Sequence, residues 1–296
     1  MPSSVLQMST SPAAGPVGPA GPPALGLELG TDATVDDGGW LVRELRAAVG
    51  LDGPPGILQG GLAAGASAAI ARQADPFGAP LTGFTARLHA PTPLGVAVRT
   101  RVRAGDGPAR YRVETFAGDR LLTSAEVELA GHDPAPLGLD LAELGRVPFP
   151  EPLPQHEYPT CFVCGPEPTH PQGVRMHPRP TGDGTIVAPW LPAAALGRDG
   201  VVDPLLVAAV LDCPTVWSAI DQIRAQGAVG ALLAGFEVRH YREVPVEEPL
   251  RVVARCDDVD GRKIRARAAV IDEDGACFAL ANALHIAVER IPEGAQ

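Results

Sequence analysis

LTGFTARLHAPTP (Leu81–Pro93) and LAGFEVRHYREVP (Leu233–Pro245) are two versions of one stretch. Gly83, Phe84, Arg87 and Pro93 fall on Gly235, Phe236, Arg239 and Pro245 at one constant offset, without a gap. Both alternate in polarity like a β-strand, whose successive side chains point to opposite faces. Phe84, Ala86 and Leu88 share one face, and Phe236, Val238 and His240 share its counterpart. Each face is expected to cover a helix.

The repetition extends outward from this core. VAVRTRVRA (96–104), RYRVETF (110–116) and LLTSAEVELA (121–130) follow the first copy; LRVVARC (250–256), KIRARAAVI (263–271) and ACFALANALHIAV (276–288) follow the second. Turn residues such as Gly105-Asp106-Gly107, Gly118-Asp119, Asp260-Gly261 and Asp274-Gly275 separate them, as antiparallel hairpins require. Upstream of each copy lies a helix of small residues. PPGILQGGLAAGASAAIARQ places Gly60 and Gly61 at one helix start, and its alanines let a sheet approach closely. Asp203-Pro204 starts the other with a capping side chain and a proline whose missing N–H costs nothing there. Each half thus reads as an early strand, a central helix and a meander of long antiparallel strands.

Between the halves, DPAPLGLDLAELGRVPFPEPLPQHE (133–157) carries closely spaced prolines that favour an extended connector. The expected organisation is a Pro/Gly/Ala-rich disordered tail over 1–27, a first unit over 28–132, a linker over 133–157 and a second unit over 158–290. With 296 residues and 45% apolar content the chain can build two cores. Its 35 acidic against 24 basic side chains argue against a nucleic-acid partner, which needs a concentrated basic face. The longest apolar run, Leu205–Leu211, is far short of the roughly 20 residues that span a bilayer. Five cysteines with no secretory signal fit a reducing compartment, so a cytoplasmic location is expected.

CFVCGPEPTHPQG (161–173) has the outline of a metal knuckle. Cys161, Cys164 and His170, with His156 or His177, would supply four zinc ligands. Against zinc, there is no second CxxC and no H-x-x-x-H partner. A redox CxxC lacks the surrounding thioredoxin-like alternation of strands and helices. No metal and no cofactor are expected.

A helix wrapped by an antiparallel sheet, twice in one chain, resembles the hotdog fold in its tandem, double-hotdog form. That is an α+β arrangement of two antiparallel sheets, each wrapped around a central helix. CFVCGPEPTHPQGVRM is similar to a C-F-V-C-G segment and N-P-x-G-L turn frequent in thioesterases of the acyl-coenzyme A type, with His170 where asparagine is usual. Gln59-Gly60-Gly61 resembles the family's H-G-G helix start, with glutamine for histidine, and AAVLD (208–212) resembles the A-x-L-L-D helix whose aspartate does the chemistry. The resemblance covers roughly residues 28–132 and 158–290.

It implies hydrolysis of an acyl-coenzyme A or related thioester, with a small-molecule substrate, neither nucleic acid nor membrane as partner, and room for homo-oligomers of double-hotdog units. Asp212 would be base or nucleophile, facing Gly60 and Gly61 across a pseudo-twofold axis in one composite site. Glycines with free N–H groups at a helix start suit an oxyanion hole, although they equally suit close helix packing. Asp212, beside an apolar segment, suits a base of raised pKa, or a cap on a helix restarted by Pro214. Substrate-binding candidates are Gln59 and His170 at the motif positions, Arg239 (with Arg87 and Arg242) for phosphates, His240 for the acyl pocket, and Asn282, with Glu237 and Thr215, for orienting water. Each also has a structural reading, as a solvated strand arginine or a bonded core residue. The rivals are a non-catalytic acyl-ligand binding or scaffold protein and, less well matched, a hydratase, whose aspartate and histidine five residues apart are absent.

Overall fold

The computed structural model describes residues 24–130, 141–152, 158–181 and 183–291. The first unit contains β1 (Leu27–Leu29), β2 (Thr34–Val35), β3 (Leu41–Ala47), α1 (Gly60–Ala74), β4 (Leu81–Leu88), β5 (Ala97–Ala104), β6 (Arg110–Ala117) and β7 (Arg120–Leu129). A short helix, α2 (Leu141–Arg146), follows. The second unit contains β8 (Arg179–Pro180), β9 (Thr185–Trp190), β10 (Gly197–Arg198), β11 (Val201–Val202), α3 (Pro204–Trp217) and α4 (Ile220–Ala225). It closes with β12 (Gly230–His240), β13 (Leu250–Asp260), β14 (Lys263–Ile271) and β15 (Cys277–Val288).

The architecture is the double hotdog, and its two sheets join edge to edge. Antiparallel strands run in the order β1-β3-β5-β6-β7-β4-β12-β15-β14-β13-β9-β8, with β2 on β3. The junction is β4 against β12, the two copies of the duplicated stretch. Thr85 pairs with Glu237, its own counterpart, so the pseudo-twofold axis passes through that pair. Phe84 and its counterpart Phe236 meet edge-to-face at 6.3 Å between ring centres, beneath the axis. Each copy also carries a bulge at its first glycine, between Leu81 and Gly83 against β7 and between Leu233 and Gly235 against β15. Gly83 permits the crossing, because a Cβ there would lie 2.7 Å from the Val238 carbonyl oxygen.

The sheet wraps α1 and α3, which run antiparallel beneath it. Phe84, Ala86, Phe236 and Val238 are buried on the inner face, as the alternation predicts, whereas Leu88 and His240 at the strand ends are only partly covered. The helices touch closely. A Cβ on Gly61 would fall 2.4 Å from the Ala208 carbonyl oxygen, and one on Gly65 would fall 3.0 Å from the Ala208 Cβ.

Two expectations change at the unit boundaries. Ala24–Leu27, within the stretch read as tail, already belong to the fold: Leu25 is buried and Leu27 pairs with Ala47. Residues 1–23 lie outside the described residues. The linker is not simply extended, since α2 forms within it. Leu141, Leu144 and Val147 pack on Val187, Val253, Ala269, Ile271 and Leu280, the outer face of the second unit. That face is apolar on both sides, so burying it against the linker releases water from it. The first unit's outer face is instead laced with ion pairs such as Arg110–Glu128 (2.8 Å). Among the described residues, no helix is long and apolar enough to cross a membrane.

Gly61→Ala is expected to cost about 1–3 kcal/mol of stability by overpacking the helix contact. Urea denaturation measures this, and a variant as stable as the parent would refute the contact.

Candidate active site

The helix contact brings three polar residues together. Gln59 is the N-cap of α1, its Oε1 accepting from the Leu62 N–H at 2.8 Å. Asp212 lies nine residues past Asp203, the N-cap of α3. Because the helices are antiparallel, its carboxylate reaches the start of α1 in the other unit: Oδ2 accepts from the Gly61 N–H at 2.8 Å and from Gln59 Nε2 at 2.7 Å. The corresponding position of α1, nine residues past Gln59, is Ala68. Among the described residues there is therefore one such carboxylate, in α3.

The helix-restart reading of Asp212 is overturned. Pro214 sits inside a helix that continues to Trp217, and the Asp212 side chain bonds across to α1 rather than capping its own helix. The turn around the proline is tied by other groups. Thr215 Oγ1 donates to the Asp212 carbonyl at 2.5 Å, and Ser218 Oγ donates to the Thr215 carbonyl at 2.8 Å.

Asp212 is 6% exposed. Burial pushes its pKa up to about 7, against the opposing pull of the Gly61 N–H. Its free oxygen, Oδ1, lies 3.9 Å from His285 Nε2 on β15. This is not an ion pair, because burial drives the His285 pKa down to about 3 and keeps the ring neutral. His285 Nε2 is 2.7 Å from Thr215 Oγ1, whose single proton goes to the Asp212 carbonyl. Nε2 is therefore the protonated nitrogen, donating to Thr215, and buried Nδ1 is an unprotonated acceptor with no partner among the described residues.

These groups border a cavity of about 240 Å³. Its wall is mostly apolar, with Ile57, Leu58, Leu88, Val216, Trp217 and Leu233 contributing. Gly60, Asp212 and His285 line it, as do Cys161, Cys164 and Cys213. The two glycine N–H groups differ in their hydrogen bonding. The Gly61 N–H is taken by Asp212, whereas the Gly60 N–H, at the first position of α1, makes no hydrogen bond to a described residue. A Cβ on Gly60 would press on Leu233 Cβ at 2.8 Å and on Asp212 Oδ2 at 2.9 Å.

The other sequence candidates lie elsewhere. Arg239 pairs with Glu128 (3.0 Å) and Glu237 (2.9 Å), and Asn282 donates to Glu237, these last two lining a separate groove near the sheet junction. His240 sits near Arg72, at the far end of α1, its pKa lowered to about 4 by burial. His170 lies at the seam between units, against Gly50, with its ring edge-on to Phe162 and Nδ1 accepting from the Gln172 N–H. It does not line the cavity. His156 lies outside the described residues. His285 was not singled out in the sequence, yet it interrupts the inward row Ala279, Ala281, Ala283 and Ala287 of β15, a polar group on a strand face of alanines. That interruption is the readable signal.

No family model matches the chain, and no curated protein matches it. Many solved structures do. A pyran synthase domain from module nine of the sorangicin pathway is 17% identical, with a TM-score of 0.63 over 88% of this chain and 98% of its own. An acyl-CoA thioesterase II from Mycobacterium marinum is 13% identical, with a TM-score of 0.53 over 90% and 97%. A protein of unknown function with a hot dog fold from Alicyclobacillus acidocaldarius is 15% identical, with a TM-score of 0.50 over 92% and 98%. At these identities the likeness is one of fold, the double hotdog over nearly its whole length.

Gln59→Ala removes both the cap on α1 and a buried donor to Asp212. It is expected to cost about 1–3 kcal/mol, read as a lower urea midpoint with an unchanged slope.

Proposed function

We propose that the chain hydrolyses a small acyl thioester, of the acyl-coenzyme A type, in the cavity between α1 and α3. The observation that carries this reading is a buried carboxylate beside a helix N-terminal N–H with no partner among the described residues, in one apolar cavity. Asp212 supplies a base poised near neutrality, and Gly60 supplies a donor for the charge that develops on the thioester oxygen. The fold it shares with an acyl-CoA thioesterase II supports the reading, while the likeness to a pyran synthase domain means that the fold by itself does not decide the chemistry.

In the proposed step, Asp212 Oδ1 takes a proton from a water molecule whose oxygen adds to the thioester carbonyl carbon. The oxyanion is received at the Gly60 N–H. As the carbonyl re-forms, the C–S bond breaks, and the thiolate leaves with the proton that Asp212 took up. A free acid and a thiol result, and the carboxylate is regenerated. Direct attack by Asp212 would pass through an anhydride and give the same products. Gln59 and Gly61 hold Oδ2, so that Oδ1 is the oxygen left to react.

A cavity of about 240 Å³ lies at the small end of ligand sites, which selects a short acyl group. Release of free thiol from a series of acyl-coenzyme A substrates of increasing chain length tests this. Turnover is expected to be fastest with short chains, and Asp212→Asn should lower kcat/KM by about 10²–10⁴-fold, the usual worth of a general base. Binding of acyl-coenzyme A without turnover by the parent protein would establish the non-catalytic reading instead. Full activity in Asp212→Asn would remove Asp212 from the chemistry.

A further inference from the structure

The cavity wall holds a second chemical group that the hydrolysis reading does not use. Cys161 and Cys164 come from the CFVCG turn and Cys213 from α3, and their three Sγ atoms lie within 4.8 Å of one another. All three are buried. Cys161 and Cys213 are 3.7 Å apart, Sγ to Sγ. Four ligands at the zinc–sulfur distance of about 2.3 Å around a tetrahedral ion stand about 3.8 Å apart, so this edge already has the spacing of a zinc site.

We propose that Cys161, Cys164 and Cys213 form a binding site for a thiophilic divalent cation, zinc in the first instance, with a fourth position open to the cavity. Three further features support it. The CFVCG turn is a rigid knuckle: the Gly165 N–H bonds the Cys161 carbonyl, and a Cβ on Gly165 would fall 2.4 Å from the Pro159 carbonyl oxygen. An N–H donor already points at one of the sulfurs, Trp217 Nε1 at Cys164 (3.4 Å). Such donors stabilise metal-bound thiolates from outside the ligand shell. Finally, all three cysteines line the cavity, so a solvent molecule or a ligand can complete the tetrahedron from that side. The partner missing from the CxxC in the sequence is thus a cysteine about fifty residues downstream, not His170 or His177. The site is independent of whether the cavity hydrolyses thioesters.

The test is cadmium and zinc binding by the full chain, kept reduced with a non-chelating phosphine. The ultraviolet thiolate-to-cadmium absorption should saturate at one ion per chain, and zinc competing with a chromophoric chelator should give the same stoichiometry. Cys213→Ser should weaken binding more than about tenfold, while Cys256→Ser and Cys277→Ser leave it unchanged. Zinc should also raise the melting temperature of the wild-type chain, since binding to the folded state alone stabilises it. That measurement needs no variant and stands even where Cys213→Ser does not fold. Absence of cadmium absorption and of a zinc-dependent melting shift in the reduced wild type would overturn the proposal. So would wild-type affinity in a folded Cys213→Ser, which would assign the ion to the CxxC pair alone.

Discussion

The contact of Gly61 with the backbone of α3 at Ala208 is the constraint on which the rest of the molecule depends. Any side chain at Gly61 would collide with that carbonyl, so the two helices approach as closely as backbones allow. At that distance one sheet can wrap both helices. The same approach carries Asp212 to the start of α1, where an N–H and the Gln59 amide meet its charge. Packing and site are therefore one event: the glycine that admits the neighbouring helix also donates to its carboxylate. Gly61 fulfils the close-packing reading of the glycine pair, while the Gly60 N–H has no partner among the described residues.

The duplicated strand supplies the symmetry, and divergence of the halves then uses it. Thr85 opposite Glu237 and Phe84 against Phe236 make the junction self-complementary, as an isologous contact between two subunits would be. Around this axis the two halves have become unlike. The second unit buries its outer face under α2 and the linker, whereas the first leaves its outer face charged. Inside, α3 carries Asp212 and α1 carries Ala68 at the corresponding place.

What was legible in the sequence follows the range of the interactions. Strand alternation placed β14 over Lys263–Ile271, the glycine pair placed the start of α1 at Gly60 and Gly61, and capping chemistry placed the start of α3 at Pro204, because these signals act within a few residues. The internal match exposed the duplication, though not that its two copies hydrogen-bond to each other, a pairing of residues about 150 apart. The linker prolines concealed α2, whose formation answers to an apolar sheet face far along the chain. Asp212 was readable as an acid in an apolar run. Its bond to Gly61, the convergence of Cys213 on the CxxC and the approach of His285 are tertiary facts, and motif spacing cannot express them. Arg239 and Asn282 show the converse: their residue types suit substrate, but the strand alternation sends them to the outer face, where Glu128 and Glu237 engage them.

The polar cluster in the cavity explains why glutamine can stand at the start of α1 where a histidine is usual in the family the sequence resembles. A side chain there must cap the helix and hold the carboxylate from the next helix at once. An amide does both without titrating: Oε1 takes the Leu62 N–H, and Nε2 gives its protons to Asp212 Oδ2 and the Ala209 carbonyl. Its orientation is forced, because a flipped amide would set an oxygen against a carboxylate and an NH₂ against an N–H. Glutamine therefore adds a donor but no charge to the site. The ionisation of Asp212 is left to burial and to the Gly61 N–H, and His285, kept neutral, cannot neutralise it. Each polar atom bonded in this cluster would be costly to strand by truncating its partner. The groups in it without a partner among the described residues, the Gly60 N–H and the His285 Nδ1, are those with capacity left for a ligand in the cavity.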